Sequence, residues 1–321
     1  MKVSVILCTY NRAESLLKAL GSLAESAMPE SVDWDVLVVD NNSSDQTREI
    51  VKDFCRRHPG RFLYTFESQQ GLSRARNTGI REASGDVVAF VDDDVTVEPT
   101  WLRNLTARLH NGKWVGAGGR VLPKWASSPP DWLPLKDRYG LAPLAVFDPG
   151  LNAGGLPEPP FGTNMAFQKK MFQKYGDFRT DLGRCGDSMI SNEDTEFGGR
   201  LLAAGEQLRF EPSAVVYHPV SEKRIQKEYF LAWWFDKARA DIRQSGIAHG
   251  TRWFVAGIPL YLFRRLMVWS VRWIATVESS RRFSNKIKVW TVMGQILECY
   301  RLAAKRSRDA GSPGRSTLAT K

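Results

Sequence analysis

Short apolar runs alternate with amphipathic stretches along the N-terminal third of the chain. Apolar runs of strand length occur at residues 3–7, 34–39, 62–66 and 87–91. Stretches with apolar residues at helical spacing occur at residues 13–24, 45–54 and 74–83. Strands that are apolar throughout and separated by helices are typical of a parallel sheet covered on both faces. The pattern therefore predicts an α/β fold whose ligands bind at the carboxyl ends of the strands.

Polar residues concentrate directly after three of these predicted strands. They are Thr9, Tyr10, Asn11 and Arg12 after the first strand, residues 40–45 (DNNSSD) after the second, and Asp92, Asp93 and Asp94 after the fourth. Taken singly, Asn11 and Ser44 are equally typical of helix caps, and Asp40 of a turn. Consecutive carboxylates repel one another without a counter-ion, and oxygen ligands at this spacing suit Mg²⁺ or Mn²⁺. We therefore expect a divalent cation that bridges phosphate oxygens at this edge.

Seven short motifs carry a resemblance to a known family. They are TYNR at residues 9–12, VVDNNSSD at 38–45, GLSRARN at 71–77, FVDDD at 90–94, GTNMA at 162–166, NED at 192–194 and VYH at 216–218. In this order and spacing they resemble the motifs of the family 2 glycosyltransferases, over roughly residues 1–225. The resemblance implies a GT-A fold, which is Rossmann-like with a mostly parallel sheet, a nucleoside-diphosphate sugar donor, a divalent metal and inversion at the anomeric carbon.

Inverting transfer is a single displacement, so it needs a base for the attacking hydroxyl and neutralisation of the departing diphosphate. The resemblance implies that Asp194 is the base, with Glu193 in a supporting role, and Glu196 is the nearest rival. It also implies that Asp94 and Asp92 hold the metal. An acidic residue at the position of Asp194 is equally typical of a helix N-terminus, where the helix dipole favours negative charge.

The donor's base, ribose and sugar are expected to contact the strand-end clusters and one helix residue, namely Thr9, Tyr10, Asn11, Arg12, Asp40, Asn42, Arg76, Asp92 and Asp93. A carboxylate such as Asp40 can accept the imide N–H of uracil or the ribose hydroxyls, so we predict a UDP-sugar. Arg76 either follows the nucleotide, pairs with a strand-end carboxylate or is a solvated surface charge. His218, after an apolar run, is either a third metal ligand or a buried strand-end residue.

Two segments predict long loops beside the acceptor. Residues 123–161 contain nine prolines and little periodicity, and residues 181–191 precede the proposed base. Neither segment identifies the acceptor.

Composition sets the C-terminal part of the chain apart. The 321 residues carry a net charge of +10, yet residues 222–321 alone carry 20 Lys and Arg against 7 Asp and Glu, with six of the 11 Trp. We therefore divide the chain into a catalytic domain at 1–225, a basic, Trp-rich helical segment at 226–304 and a disordered tail at 305–321. Charges interrupt every apolar run, so we predict that no segment spans a membrane.

An amphipathic helix is predicted within the basic segment. Its apolar stripe consists of Leu262, Leu266, Trp269 and Trp273, and arginines such as Arg265 and Arg272 lie on another face. This pattern suits the headgroup layer of an anionic membrane, contacted through residues 253–290. The alternative is that the stripe packs on the catalytic domain or on a sister subunit of a homo-oligomer.

Several classes of function are excluded or disfavoured. The four cysteines, Cys8, Cys55, Cys185 and Cys299, lie far apart, so they predict neither a zinc site nor a disulfide framework. No nucleic-acid reader motif accompanies the basic charge. With no signal peptide expected before Asn11, we predict a cytoplasmic protein, peripheral at the inner face of the cell membrane.

The sequence thus predicts an inverting, metal-dependent glycosyltransferase of the hexosyltransferase type, which uses Mn²⁺ or Mg²⁺ and a saccharide or lipid-linked saccharide acceptor. Its place would be in polysaccharide or glycan biosynthesis for the cell envelope. One alternative is a nucleotidyltransferase, although such enzymes usually have a Gly-rich loop after the first strand. The other is a GT-A scaffold without activity.

Overall fold

The computed structural model describes residues 1–310 apart from 111, 134, 136–139 and 248–249. The chain divides into two compact units, Met1–Tyr229 and Phe230–Lys321. This division falls inside a helix, a few residues after the predicted boundary at residue 225. The predicted tail is wrong for residues 305–310, which continue the last helix, and its remainder at 311–321 lies outside the described residues.

The secondary structure extends over both units. The strands are β1 (Lys2–Thr9), β2 (Asp33–Asp40), β3 (Phe62–Phe66), β4 (Val87–Asp92), β5 (Thr96–Val97), β6 (Gly116–Trp125), β7 (Gly154–Gly155), β8 (Asn164–Gln168), β9 (Leu208–Val220), β10 (Phe254–Val255) and β11 (Ile258–Pro259). The helices are α1 (Ala13–Ala24), α2 (Thr47–Arg57), α3 (Leu72–Glu82), α4 (Trp101–Thr106), α5 (Lys170–Tyr175), α6 (Glu193–Ala203), α7 (Lys227–Ser245), α8 (Leu260–Ala275) and α9 (Ser279–Ala310).

The first unit is built on one mixed sheet, in the order β3-β2-β1-β4-β8-β6-β9-β5 with β7 beside β9. Strands β1 to β4 pair in parallel, which confirms the predicted α/β arrangement of the N-terminal part. The second half departs from a wholly parallel sheet, because β8 runs antiparallel to both β4 and β6. The chain enters β8 from a loop, without the helical crossover that a parallel strand requires.

The predicted loop at residues 123–161 is only partly irregular. Strand β6 continues into it as far as Trp125, and Phe147 forms a bridge with Val121. The segment also contains a single turn of 3₁₀-helix at Ala142–Leu144 and the short strand β7. Pairing of β7 with β9 and of Phe147 with Val121 therefore ties much of this segment to the sheet.

Aromatic packing fixes the start of helix α6 against the sheet. Phe197 of α6 stacks on Phe172, with ring centroids 4.2 Å apart, and meets Phe167 of β8 edge-on at 5.1 Å. All three rings are buried. Aromatic pairs prefer specific stacked and edge-on arrangements, so this packing fixes the position of α6 beside β8.

The second unit contains α7, the β10–β11 hairpin, α8 and α9. Its core includes Ile242, Leu262, Val292 and Cys299. Glu298 of α9 is buried and accepts hydrogen bonds from two arginines of α7, Arg239 at 3.0 Å and Arg243 at 2.6 Å. Within the described ranges, no helix combines the length and the apolar character needed to cross a membrane.

Helix α8 carries apolar side chains on two opposite faces. The inner stripe, Leu262, Leu266, Trp269 and Trp273, is the face that the sequence predicts to meet a membrane. That prediction is wrong, because the first three side chains pack into the core of the unit and Trp273 contacts Trp290 of α9. The outer stripe is exposed and consists of Leu260, Phe263, Met267, Val271 and Ile274.

Candidate active site

The ends of three neighbouring strands form the floor of the site. Parallel pairing sets Thr9 of β1 beside Asp40 of β2, and Cys8 of β1 beside Asp92 of β4. Both Thr9 and Asp40 are buried, and the N–H of Asn41 donates to the carbonyl of Thr9. The predicted strand-end clusters are therefore brought together, since parallel strands end at one edge.

Hydrogen bonds between the β1–α1 and β2–α2 turns hold this floor in place. Asn11 has a positive φ of 50°; its N–H donates to Ser43 Oγ at 3.0 Å, and its Oδ1 accepts from the N–H of Ser44 at 2.7 Å. Asp40 accepts from the N–H of Ser43 at 2.9 Å and from the hydroxyl of Tyr64 at 3.0 Å. Asn11 and Asp40 thus shape the turns from within.

Two other predicted donor-binding residues lie at the rim. Tyr10 and Asn42 are both exposed, and Asn42 has a positive φ of 68°. Their side chains are accessible to a ligand above the buried floor.

Two arginines bind Asp93 and Asp94, the last two residues of the acidic triplet. Arg12 Nη1 lies 3.1 Å from Asp93 Oδ1 and 2.8 Å from Asp94 Oδ2. Arg224 Nη2 lies 3.1 Å from the same Asp94 oxygen, and its Nη1 lies 2.8 Å from Nε2 of His218. His218 Nε2 and Asp94 Oδ1 are 3.7 Å apart. Arg224 had no place in the predicted site, because nothing in its local sequence distinguishes it from other loop arginines.

Asp92 faces a different group of residues from Asp94. Its Oδ2 accepts from Thr163 Oγ1 at 2.7 Å, and its Oδ1 lies 3.4 Å from Arg76 Nη2. Arg76 is buried, donates to Glu193 Oε1 at 2.6 Å and donates to the carbonyl of Gly162 at 3.2 Å. Of the predicted alternatives for Arg76, the structure shows pairing with a strand-end carboxylate.

Asp194 lies on the first turn of α6, next to this network. Its Oδ2 accepts from the N–H of Gly162 at 2.6 Å, and its Oδ1 accepts from the N–H of Thr195 at 2.7 Å. A Cβ at position 162 would come within 2.9 Å of Asp194 Oδ2 and 2.8 Å of Arg76 Nη2. Glycine is therefore the residue that lets this backbone approach both side chains. The rival Glu196 is instead paired with Arg200 at 3.0 Å.

Burial shifts the protonation of several site residues. It raises the pKa of Asp93 to about 7 and, together with the charge of Asp194, raises the pKa of Glu193 to about 7. It lowers the pKa of His218 to about 4. Burial also works against ionisation of Asp94, but electrostatic interactions with His218, Arg224 and Arg12 hold its pKa below the ordinary value.

The corner formed by Asp94 and His218 suits a divalent cation. An ionised carboxylate and a neutral imidazole are both metal ligands, and here one oxygen and one nitrogen already face each other. Asp92 is not part of this corner, because Thr163 and Arg76 hold its carboxylate elsewhere. In the part of the chain that the structure describes, no three His, Cys, Asp or Glu side chains are grouped to hold an ion. The metal role predicted for Asp92, Asp94 and His218 stays a prediction.

Comparison with known proteins agrees with this fold. Residues 4–176 match the family model described as glycosyl transferase family 2. The chain is 30% identical over 247 residues to a glucosyl-dolichyl phosphate glucuronosyltransferase of Haloferax volcanii, covering 73% of this chain and 75% of that protein. It is also 30% identical over 254 residues to the succinoglycan biosynthesis protein ExoM of Rhizobium meliloti, covering 78% and 74%.

The fold is similar to that of the mannosyltransferase PcManGT from Pyrobaculum calidifontis, solved with GDP-Man and Mn²⁺. The TM-score is 0.56 at 20% identity, covering 97% of this chain and 76% of that one. GalNAc-T7, solved with UDP, GalNAc and Mn²⁺, gives a TM-score of 0.53 at 16% identity, covering 76% and 52%.

The chain therefore belongs to glycosyltransferase family 2 and has the GT-A fold, as its motifs predict. It is a glycosyltransferase, and its relatives act on lipid-linked or polysaccharide substrates.

Proposed function

We propose that this glycosyltransferase is an inverting, metal-dependent enzyme that transfers a hexose from a UDP-sugar to a saccharide or lipid-linked saccharide. The observation that carries the proposal is the position of Asp194, which Gly162 and Arg76 link to Asp92 at the end of β4. This link sets a carboxylate of the acceptor side next to the strand end where donors bind in α/β sheets. The relatives support a role in building polysaccharide or lipid-linked glycan for the cell envelope.

Asp194 acts as the general base in this proposal. Each of its oxygens accepts one backbone N–H, which orients the carboxylate and leaves lone pairs for the acceptor. The acceptor oxygen forms a bond to the anomeric carbon while the bond from that carbon to the diphosphate breaks, and the hydroxyl proton passes to Asp194. Buried Arg76 holds Glu193 beneath it, so Glu193 supports the position of the base.

Asp94 and His218 would hold the cation, Mn²⁺ or Mg²⁺, which when bound would supply positive charge for the departing diphosphate. Asp93, buried beside Arg12, is placed for the ribose or the sugar. Thr9 and Asp40 line the floor of the nucleotide site, and the exposed rim residues described above lie where the base enters.

The test compares two carboxylates on the same helix. Asp194→Asn removes the base without changing the shape of the side chain, so turnover should fall about a thousandfold. Thermal stabilisation by UDP with Mn²⁺ should persist, because the donor side is unchanged. Glu196→Gln is the matched control and should keep normal turnover, since Glu196 is paired with Arg200.

Equal loss of turnover and of UDP binding in Asp194→Asn would contradict the base assignment. If GDP or dTDP stabilises the unaltered protein and UDP does not, the donor is a GDP-sugar or a dTDP-sugar and not a UDP-sugar. No stabilisation by any of the three nucleotides with Mn²⁺ would favour the inactive scaffold.

We further propose that the second unit binds the anionic inner face of the cell membrane through residues 253–290, using the outer stripe of α8. Met267 is 62% exposed and Ile274 is 72% exposed, and Trp253 in the preceding segment is 75% exposed. Exposed arginines, among them Arg264 and Arg272, lie on the same helix. Apolar side chains beside cationic ones match a surface of acyl chains and anionic headgroups.

Vesicle co-sedimentation tests this surface. The protein should bind vesicles of phosphatidylcholine with phosphatidylglycerol and leave pure phosphatidylcholine unbound. Met267→Glu with Ile274→Glu should weaken that binding at least about tenfold, because each change removes an apolar side chain that the membrane would cover and adds repulsion. Leu17→Glu with Leu63→Glu adds the same charge at exposed positions of the first unit and should bind normally.

Unchanged vesicle binding by the Met267 and Ile274 variant would contradict the proposal. If that variant instead turns a dimer into a monomer in analytical ultracentrifugation, the outer stripe is an interface of a homo-oligomer.

A further inference from the structure

A single arginine outside every predicted motif contacts both candidate metal ligands. Arg224 lies in the turn between β9 and α7, where its N–H donates to the carbonyl of Ser221 at 2.9 Å. Its guanidinium spans the corner, with Nη2 at 3.1 Å from Asp94 Oδ2 and Nη1 at 2.8 Å from His218 Nε2. The side chain is 14% exposed, although the turn on either side of it is largely open to solvent.

Arg224 and a cation compete for Nε2 of His218. Nε2 of His218 has one lone pair, which here accepts the hydrogen bond from Arg224 and which a metal would need for itself. A guanidinium keeps its charge at all relevant pH values, so it also repels a divalent cation beside it. Binding of a cation by His218 therefore requires Arg224 to leave.

Arg12 does not compete in the same way. It contacts Asp94 as well, but its other partner is Asp93 and it has no contact with His218 among those described. Arg12 can therefore keep a carboxylate partner when a cation enters. Arg224 would lose its contact with His218.

We propose that Arg224 is an exchangeable arginine of the active site, and this inference rests on the proposed metal-dependent function. Without donor, its guanidinium neutralises Asp94 and occupies His218. When the cation and the nucleotide enter, Arg224 moves to the donor's diphosphate and binds it. The planar guanidinium fork matches phosphate oxygens, so a diphosphate that enters this corner would offer it a new partner. Arg224 would thus exchange its contact with His218 for an anionic ligand.

This exchange predicts effects of opposite sign on two affinities. Removing Arg224 removes a competitor of the free cation, so Mn²⁺ alone should bind more tightly. It also removes a ligand of the diphosphate, so UDP at saturating Mn²⁺ should bind more weakly. A purely structural arginine would weaken both affinities or neither.

The experiment uses the full chain and two direct binding measurements. Mn²⁺ is titrated by the electron paramagnetic resonance signal of the free ion, and UDP is titrated by calorimetry at saturating Mn²⁺. In Arg224→Ala we expect the Kd for Mn²⁺ to fall about tenfold and the Kd for UDP to rise about tenfold, the size of one charge-assisted hydrogen bond. Lys223→Ala removes an equal charge from the neighbouring exposed position and should leave both constants unchanged.

Arg224→Gln is measured in parallel, since it keeps a polar side chain if the alanine variant folds poorly, and it should shift both constants in the same directions. Unchanged or weaker Mn²⁺ binding in the folded variants would overturn the exchange. Tighter Mn²⁺ binding with unchanged UDP binding would overturn the contact with the diphosphate. If the unaltered protein binds no Mn²⁺, the proposed metal dependence fails and the exchange fails with it.

Discussion

Charged side chains are usually exposed and large apolar side chains usually buried, and each of the two units departs from one of these two rules. In Met1–Tyr229, charged or polar groups such as Arg76, Glu193 and His218 are buried. In Phe230–Lys321, large apolar side chains such as Met267 and Ile274 are exposed. Buried charges and exposed apolar groups both cost free energy unless something compensates them.

The compensation differs between the two units. The buried charges find partners within their own unit, because Arg76 binds Glu193, Asp92 and the carbonyl of Gly162. The outer stripe of α8 has no such partner in the described part of its unit. The comparison teaches that the first unit pairs its buried charges internally, whereas the second unit leaves an apolar stripe exposed.

The largest effect is expected from breaking the buried charge network. Arg76→Met would leave Glu193 and Asp92 without the guanidinium that pairs with them, and buried Glu193 Oε2 already lacks a hydrogen-bond partner among the described residues. Removing one partner of a buried ion pair costs about 3–5 kcal/mol. Urea unfolding should show this loss. Arg74→Met, at a more exposed position of the same helix, should cost less than about 0.5 kcal/mol; equal losses in the two variants would contradict the burial argument.

A substitution on the inner stripe separates packing from membrane binding. Leu262 is fully buried in the second unit, so Leu262→Ala should lower the free energy of unfolding by about 3 kcal/mol. Vesicle binding at low temperature should stay normal, because the outer stripe is untouched. Lost vesicle binding in the folded variant would mean that the two faces of α8 do not act separately.

A smaller change tests how closely the polar centre fits. In Gly162→Ala the added methyl would displace Arg76 and Asp194, so turnover should fall about a hundredfold while UDP binding changes little. Gly199→Ala, on α6 with open space around it, is the control and should keep full turnover. Normal turnover in Gly162→Ala would show that the contacts of Asp194 with position 162 are dispensable.

The smallest effect is expected where charges are exposed. Arg281 and Glu278 form an ion pair at 3.0 Å on the surface of the second unit. Arg281→Ala should change the free energy of unfolding by less than about 0.5 kcal/mol, as exposed pairs contribute little. A loss near that of Arg76→Met would remove the contrast between buried and exposed charge.

Much of the N-terminal fold is predictable because it depends on local pattern. Helix α1 has the predicted bounds, and β1, β2 and β4 extend the predicted runs by a residue or two. The meeting of Thr9, Asp40 and Asp92 also follows from the rule that parallel strands end at one edge.

The orientation of side chains within the site is not predictable in this way. Asp92 and Asp94 are nearly adjacent in sequence, yet one faces Arg76 of α3 and the other faces His218 of β9. Which partner each meets depends on elements distant in the chain. Helix α8 shows the same limit, because two apolar stripes satisfy helical spacing and only the position of α9 decides which one is covered.

Arg76 has a consequence for how such an enzyme can diversify. One guanidinium joins the carboxylate at the end of β4 to the acidic pair that opens α6. A change at this position would disturb both carboxylates together, so neither can vary independently there. New preferences for sugar or acceptor are more readily acquired at residues outside this link, where replacements leave it intact.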